Sequence, residues 1–88
     1  MPTAYVVMTC DLGYEEEIIK QLSKLKGVTK VCGTYGVYDI VAEVSSDSMD
    51  LLRQTITVEM TKIPHIRSKV TLIVIEGQGQ VTKTSEYR

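Results

Sequence analysis

Three features of this sequence predict one small α+β domain. Eleven Val, eight Ile and ten Thr occur while Phe and Trp are absent, and a core of β-branched residues implies a substantial sheet. Two segments have helical spacing, each between strand-like segments. A weak internal repeat pairs Tyr5-Val6-Val7, a helix and Lys26-Gly27-Val28-Thr29-Lys30-Val31 with Asp39-Ile40-Val41, a helix and Lys62-Ile63-Pro64-His65-Ile66-Arg67. At 88 residues the chain buries little more than ~60% of its unfolded surface, so burial against a partner is expected.

Ala4 to Cys10 has strand composition and stops at the turn-rich Asp11-Leu12-Gly13. Glu15, Glu16 and Glu17 favour a helix start, Ile18, Leu22 and Leu25 form its apolar stripe, and Gly27 ends it. Val28 to Tyr35 is a second strand, with Val28, Lys30 and Cys32 on one face and Thr29 and Val31 on the other. Gly36-Val37 connects it to a third strand, Tyr38 to Val44. Ser46-Asp47-Ser48 caps a second helix whose stripe is Met49, Leu52, Ile56, Met60 and Ile63, and Pro64 closes it. The last strand runs from Ile66 to Glu76, which makes residues 1–76 the domain and 77–88 a polar tail.

The order βαββαβ is the ferredoxin-like plan, a four-stranded antiparallel sheet with two helices on one face and strand order 4-1-3-2. Cys10 and Cys32 then stand two strands apart, ~9 to 10 Å, too far for a disulfide. Val6, Met8, Ile40, Ala42, Val44, Leu72 and Val74 can fill the helix side. The opposite face would carry Tyr5, Val7, Val41, Ile73 and Ile75, broken only by Thr9, Glu43 and Thr71. So large an apolar patch predicts that two copies pack face to face as a dimeric α+β barrel. A bulge within a strand would reverse its share of this assignment.

Ten basic against eleven acidic residues, a net charge of −1, supply no footprint for direct DNA binding. No apolar run approaches the ~20 residues of a membrane span and the start lacks a signal pattern, so a soluble cytoplasmic protein is expected. Two cysteines without paired spacing hold no zinc, and dinucleotide, phosphate-loop and metalloprotease motifs are missing, so neither cofactor nor metal is expected. The single His65 follows Pro64 in a turn with no evident partner, and the carboxylates show no catalytic pattern. The one unusual segment is Cys32-Gly33-Thr34-Tyr35-Gly36-Val37-Tyr38-Asp39. Its glycines permit backbone N–H groups to face a ligand carboxylate and Asp39 can accept from an ammonium, which suits a zwitterionic amino acid. From spacing alone, Gly36 as a plain hairpin residue and Asp39 as a turn acceptor is the simpler reading.

Gly36-Val37-Tyr38-Asp39 with Ile40-Val41, taken together with Ile63-Pro64-His65-Ile66-Arg67-Ser68 leading into Thr71-Leu72-Ile73-Val74, resembles the effector-binding (RAM) domain of the Lrp/AsnC, or feast/famine, transcription regulators. Ala4 to Met8, Gly27-Val28 and Asp47-Ser48-Met49 extend the resemblance over about residues 3 to 76. It implies dimers through the sheet faces, ring-like assemblies up to octamers, and amino acid effectors held between dimers. By position, Gly33, Thr34, Tyr35, Gly36 and Asp39 would line the pocket, Thr71 would approach from the last strand, and Tyr35 would close it. The chain begins at its first strand, so the likeness is to stand-alone effector modules that lack the helix-turn-helix and modulate full-length regulators by mixed assembly. His65 stands where the family often has Gly.

A non-enzymatic amino-acid-binding oligomer is therefore the leading expectation. A small enzyme of the dimeric α+β barrel type, an isomerase or monooxygenase, would need Glu43 or His65 directed into an enclosed cavity. An ACT-type amino-acid module would place its ligand loop at Asp11-Leu12-Gly13.

Overall fold

The computed structural model describes residues 1–75, and in it β1 (Thr3–Cys10), α1 (Glu15–Ser23), β2 (Val28–Gly33), β3 (Ile40–Ser45), α2 (Met49–Gln54) and β4 (Ile66–Ile73) follow in the predicted order. The strands pair antiparallel in the order β2-β3-β1-β4. The ferredoxin-like plan is therefore the fold, and β3 separates the free thiols of Cys10 and Cys32. The tail 77–88 and the end of the last strand at Glu76 lie outside the described residues.

Alternation drives the central pair. Ala4, Val6, Met8 and Cys10 of β1 and Ile40, Ala42 and Val44 of β3 are buried beneath Ile18 and Leu22 of α1 and Leu52 of α2. Each larger aliphatic side chain so buried contributes ~1.5 to 3 kcal/mol. The Ser48 hydroxyl accepts from the Leu51 N–H and so caps α2. Met49, expected in the buried stripe, is exposed at this first turn.

Beyond Gln54 the second helix widens into a π-helical turn, Thr55–Glu59, and tightens into a 3-10 turn, Met60–Lys62. The run Thr55-Ile56-Thr57-Val58 is β-branched throughout, and Thr55, Thr57 and Thr61 donate their hydroxyls to carbonyls four residues back. Such back-bonding competes with the regular helical ladder. Ile56, Met60 and Ile63 nonetheless reach the core.

Two β-bulges reverse half of the side-chain assignment made from alternation. In β2, Val28 pairs with Val44 and Lys30 with Glu43, leaving Thr29 as an extra residue. Val28 and Val31 therefore both pack on the core, while Lys30 and Cys32 share the open face. In β4, Cys10 pairs with Ile66 and Thr9 with Ser68, leaving Arg67 extra. Past it, Val70 lies opposite Val7 and Leu72 opposite Tyr5, whereas Lys69, Thr71 and Ile73 lie opposite Met8, Val6 and Ala4. Leu72 and Ile73 thus exchange the faces expected of them, and Thr71 turns to the helix side. Ile75 lies past the end of β4 at Ile73. One inserted residue suffices, because side chains alternate with a period of two.

The open face consequently carries Tyr5, Val7, Val41, Val70 and Leu72, with Tyr5, Val70 and Leu72 classed among the exposed apolar residues. Glu43 stands among them, its carboxylate accepting from the Tyr5 hydroxyl at 3.0 Å and the Thr29 hydroxyl at 2.7 Å. The Thr29 and Tyr5 hydrogen bonds hold the Glu43 carboxyl below the usual Glu range, and the same Glu43 raises the Tyr5 phenol.

A folded carboxyl held below its unfolded pKa stabilises fully above that unfolded value and loses the contribution as pH falls through the folded one. Urea midpoints measured between about pH 5 and pH 3 are expected to fall more steeply in the wild type than in Glu43→Gln. Gly27 has φ +97, and an added Cβ would sit 3.2 Å from the Ser45 carbonyl oxygen. Gly27→Ala is expected to destabilise by about 1 to 3 kcal/mol, read as a drop of roughly 4 to 8 °C in Tm per kcal/mol.

Candidate ligand-binding site

β2 stops at Gly33 and β3 starts at Ile40, so the connection is a six-residue loop, 34–39, longer than the predicted Gly36-Val37 turn. The Thr34 N–H donates to the Asp39 carbonyl at 2.8 Å and the Thr34 hydroxyl to the Tyr38 carbonyl at 2.7 Å. These bonds close the base of the loop, and Gly36 turns its tip with φ +125. Gly33 is ordinary strand, where an added Cβ would meet only Ile19 and the Asp39 carbonyl at van der Waals distance. Tyr35 and Val37 project fully into solvent. Within one protomer, therefore, Tyr35 covers no pocket.

Asp39 is placed quite differently. Its N–H donates to the Met8 carbonyl at 2.8 Å, and its Oδ2 accepts the Cys10 N–H at 2.9 Å. The carboxylate is thereby fixed at the end of β1, on the wall of an open groove of about 440 Å³ lined by Thr9, Cys10, Asp39, Arg67 and Ser68. The Thr9 and Ser68 hydroxyls, 2.6 Å apart, bridge β1 to β4 on its floor. The other wall is Arg67, the extra residue of the β4 bulge. Thr71 does not reach this groove: it lies opposite Val6 on β4, the edge of the sheet farthest from the loop. Of the six residues expected to form one site, the fold holds five in or beside the 33–39 segment and sets Thr71 apart.

Around the groove lies a cluster that no local pattern announced. His65, which lacked an evident partner in the sequence, stacks on Tyr14 with ring centroids 3.6 Å apart. Its Nδ1 is 3.1 Å from Asp11 Oδ2, and its carbonyl accepts the Asp11 N–H at 2.9 Å. His65 adopts φ +74, a left-handed conformation that favours Gly. Asp11 also faces Arg67, with Oδ1 3.9 Å from Nε. The contact joins the β1–α1 turn to the entry of β4, residues 54 apart. The only sequence trace of these partners is the Ile-Pro-x-Ile-Arg-Ser string, which marked position without function. Burial and the nearby carboxylates of Glu15, Asp39 and Asp11 push the Cys10 thiol up, so the groove end is an acidic environment.

A larger cleft of about 500 Å³ lies at the other end of the sheet, between the α1–β2 turn and α2, and contains none of the expected ligand residues. Glu43 and His65 are not brought together, for one belongs to the open face and the other to the turn before β4. Among the described residues, no group of three or more His, Cys, Asp or Glu is placed to hold a metal, and no helix is long and apolar enough to cross a membrane.

Comparison with curated proteins gives no match. The family model of the Lrp/AsnC ligand binding domain matches residues 3–82. The crystal structure of FFRP-DM1 is similar with a TM-score of 0.81 and 33% identity, over 85% of this chain and 100% of that one. Escherichia coli AsnC is similar with a TM-score of 0.80 and 24% identity, over 93% of this chain but 56% of AsnC. The transcriptional regulator NMB0573 of Neisseria meningitidis, in complex with L-Met, has a TM-score of 0.76 and 11% identity, over 92% of this chain and 54% of that one. Matched over nearly its whole length, and folded as the ferredoxin-like plan requires, this chain belongs to the Lrp/AsnC ligand-binding domain family.

Proposed function

We propose that this protein is a non-catalytic, cytoplasmic effector-binding oligomer that takes an amino acid at the Asp39 end of its sheet, needs no cofactor, and acts on transcription through full-length Lrp/AsnC regulators without contacting DNA itself. The observation that carries this reading is Asp39. Its carboxylate is fixed by the Cys10 N–H beside a groove, with an oxygen left to accept from a ligand ammonium. Family membership supports the ligand class, and the L-Met held by NMB0573 is an instance of it in a protein of the same fold. In this reading the backbone N–H groups of Tyr35 and Gly36 contribute where two dimers meet, and there an exposed Tyr35 would find a surface to cover. The separation of Glu43 from His65 favours binding over catalysis.

The homodimer in this reading forms through the open face, on Tyr5, Val7, Val41, Val70 and Leu72, and further pairing of dimers gives a ring of up to eight chains. Burying such a patch offsets the small core of a chain this short.

Thermal-shift screening against the twenty amino acids is expected to find at least one that stabilises, by about 2.7 kcal/mol at a hundredfold excess over Kd. An oligomer that none of them shifts would sink the sensing function. Leu72→Glu is expected to dissociate the dimer in analytical ultracentrifugation, whereas Ile73→Glu, on the other side of the strand, is expected to leave it associated.

A further inference from the structure

Arg67 owes its position to the bulge in β4, which releases it from strand pairing at the mouth of the groove. Its side chain is 70% exposed, and its one ion pair among the described residues is the contact to Asp11 at 3.9 Å, the outer limit for such a pair. A guanidinium offers five N–H donors in a fork that matches a carboxylate bidentately. Arg67 is thus a strong carboxylate receptor held by a weak internal partner.

Across the same groove stands Asp39, whose Oδ2 is committed to the Cys10 N–H. Between the two charges are the Thr9 and Ser68 hydroxyls. A groove with a fixed anion on one wall, a lightly held cation on the other and hydroxyls between them matches the charge distribution of a free α-amino acid. Its volume of about 440 Å³ lies within the usual range of small-ligand sites.

We propose that Arg67 is the carboxylate-recognising residue of this groove. The assignment rests on the amino-acid reading above and adds to it the second half of the zwitterion. On binding, the ligand carboxylate takes over the guanidinium from Asp11, which keeps its contacts with His65.

The experiment is titration calorimetry on the full chain with the twenty L-amino acids and with the α-carboxamide of the tightest one. Arg67→Gln, at an exposed site that leaves Tm unchanged, is expected to weaken the tightest ligand at least tenfold and to leave its carboxamide unaffected. Asp39→Asn keeps an oxygen for the Cys10 N–H while removing the charge, and is expected to weaken both. If an amino acid binds Arg67→Gln as tightly as the wild type, the Arg67 assignment falls and the amino-acid reading stands. If no amino acid binds the wild type, both proposals fall together.

Discussion

The β-bulge that leaves Arg67 unpaired is the constraint on which the rest of this structure turns. Before it, Ile66 faces the core opposite Cys10; after it, Ser68, Val70 and Leu72 face outward and Lys69, Thr71 and Ile73 face the helices. Without the extra residue every one of these side chains would change sides. The outward set completes an apolar face with Tyr5, Val7 and Val41, while the unpaired residue supplies the guanidinium of the groove. A single insertion thus determines both the make-up of the exposed apolar face and one wall of the candidate site.

The inward set has its own consequence. Lys69 is turned beneath the second helix, where its ammonium donates to the Ile56 carbonyl within the π-helical turn, and desolvation there lowers its pKa. A long cationic side chain under a helix is tolerable only where an acceptor meets its head. The Ile56 carbonyl of the π-helical turn is that acceptor. The Thr-rich stretch of the helix and the bulged strand are therefore complementary irregularities, each accommodating the other.

This explains what the sequence could and could not disclose. Element order, the buried positions of β1 and β3 and the Ser48 cap were legible, since each depends on a short local pattern. Alternation alone puts Leu72, Ile73 and Thr71 on the opposite faces, because the bulge at Arg67 has no local signal: Arg67, like Thr29 in the bulge of β2, is an ordinary strand residue. Asp39 stood out beside Gly36, but its partner across the groove did not. Arg67, Asp11 and Tyr14 acquire their meaning from the contact between the β1–α1 turn and the entry to β4, a juxtaposition created only by the antiparallel pairing of the first and last strands. His65 shows the same limit from the other side. Its left-handed backbone favours Gly, yet its ring meets Tyr14 and Asp11, so contacts invisible to local pattern offset the backbone cost.

Groove and open face share two residues. Thr9 and Ser68 line the groove beside Asp39 and Arg67, and both lie on the side of the sheet that carries Val7 and Val70. A ligand hydrogen-bonded to those hydroxyls therefore sits at the margin of the surface through which two copies would pack. Ligand and partner need no structural change to influence one another: whatever the ligand gains or loses when a second sheet covers Thr9 and Ser68 is the amount by which it shifts association, and association shifts ligand affinity by the same factor. In a domain this small the groove borders the open face, so ligand binding there would be coupled by proximity to any association through that face.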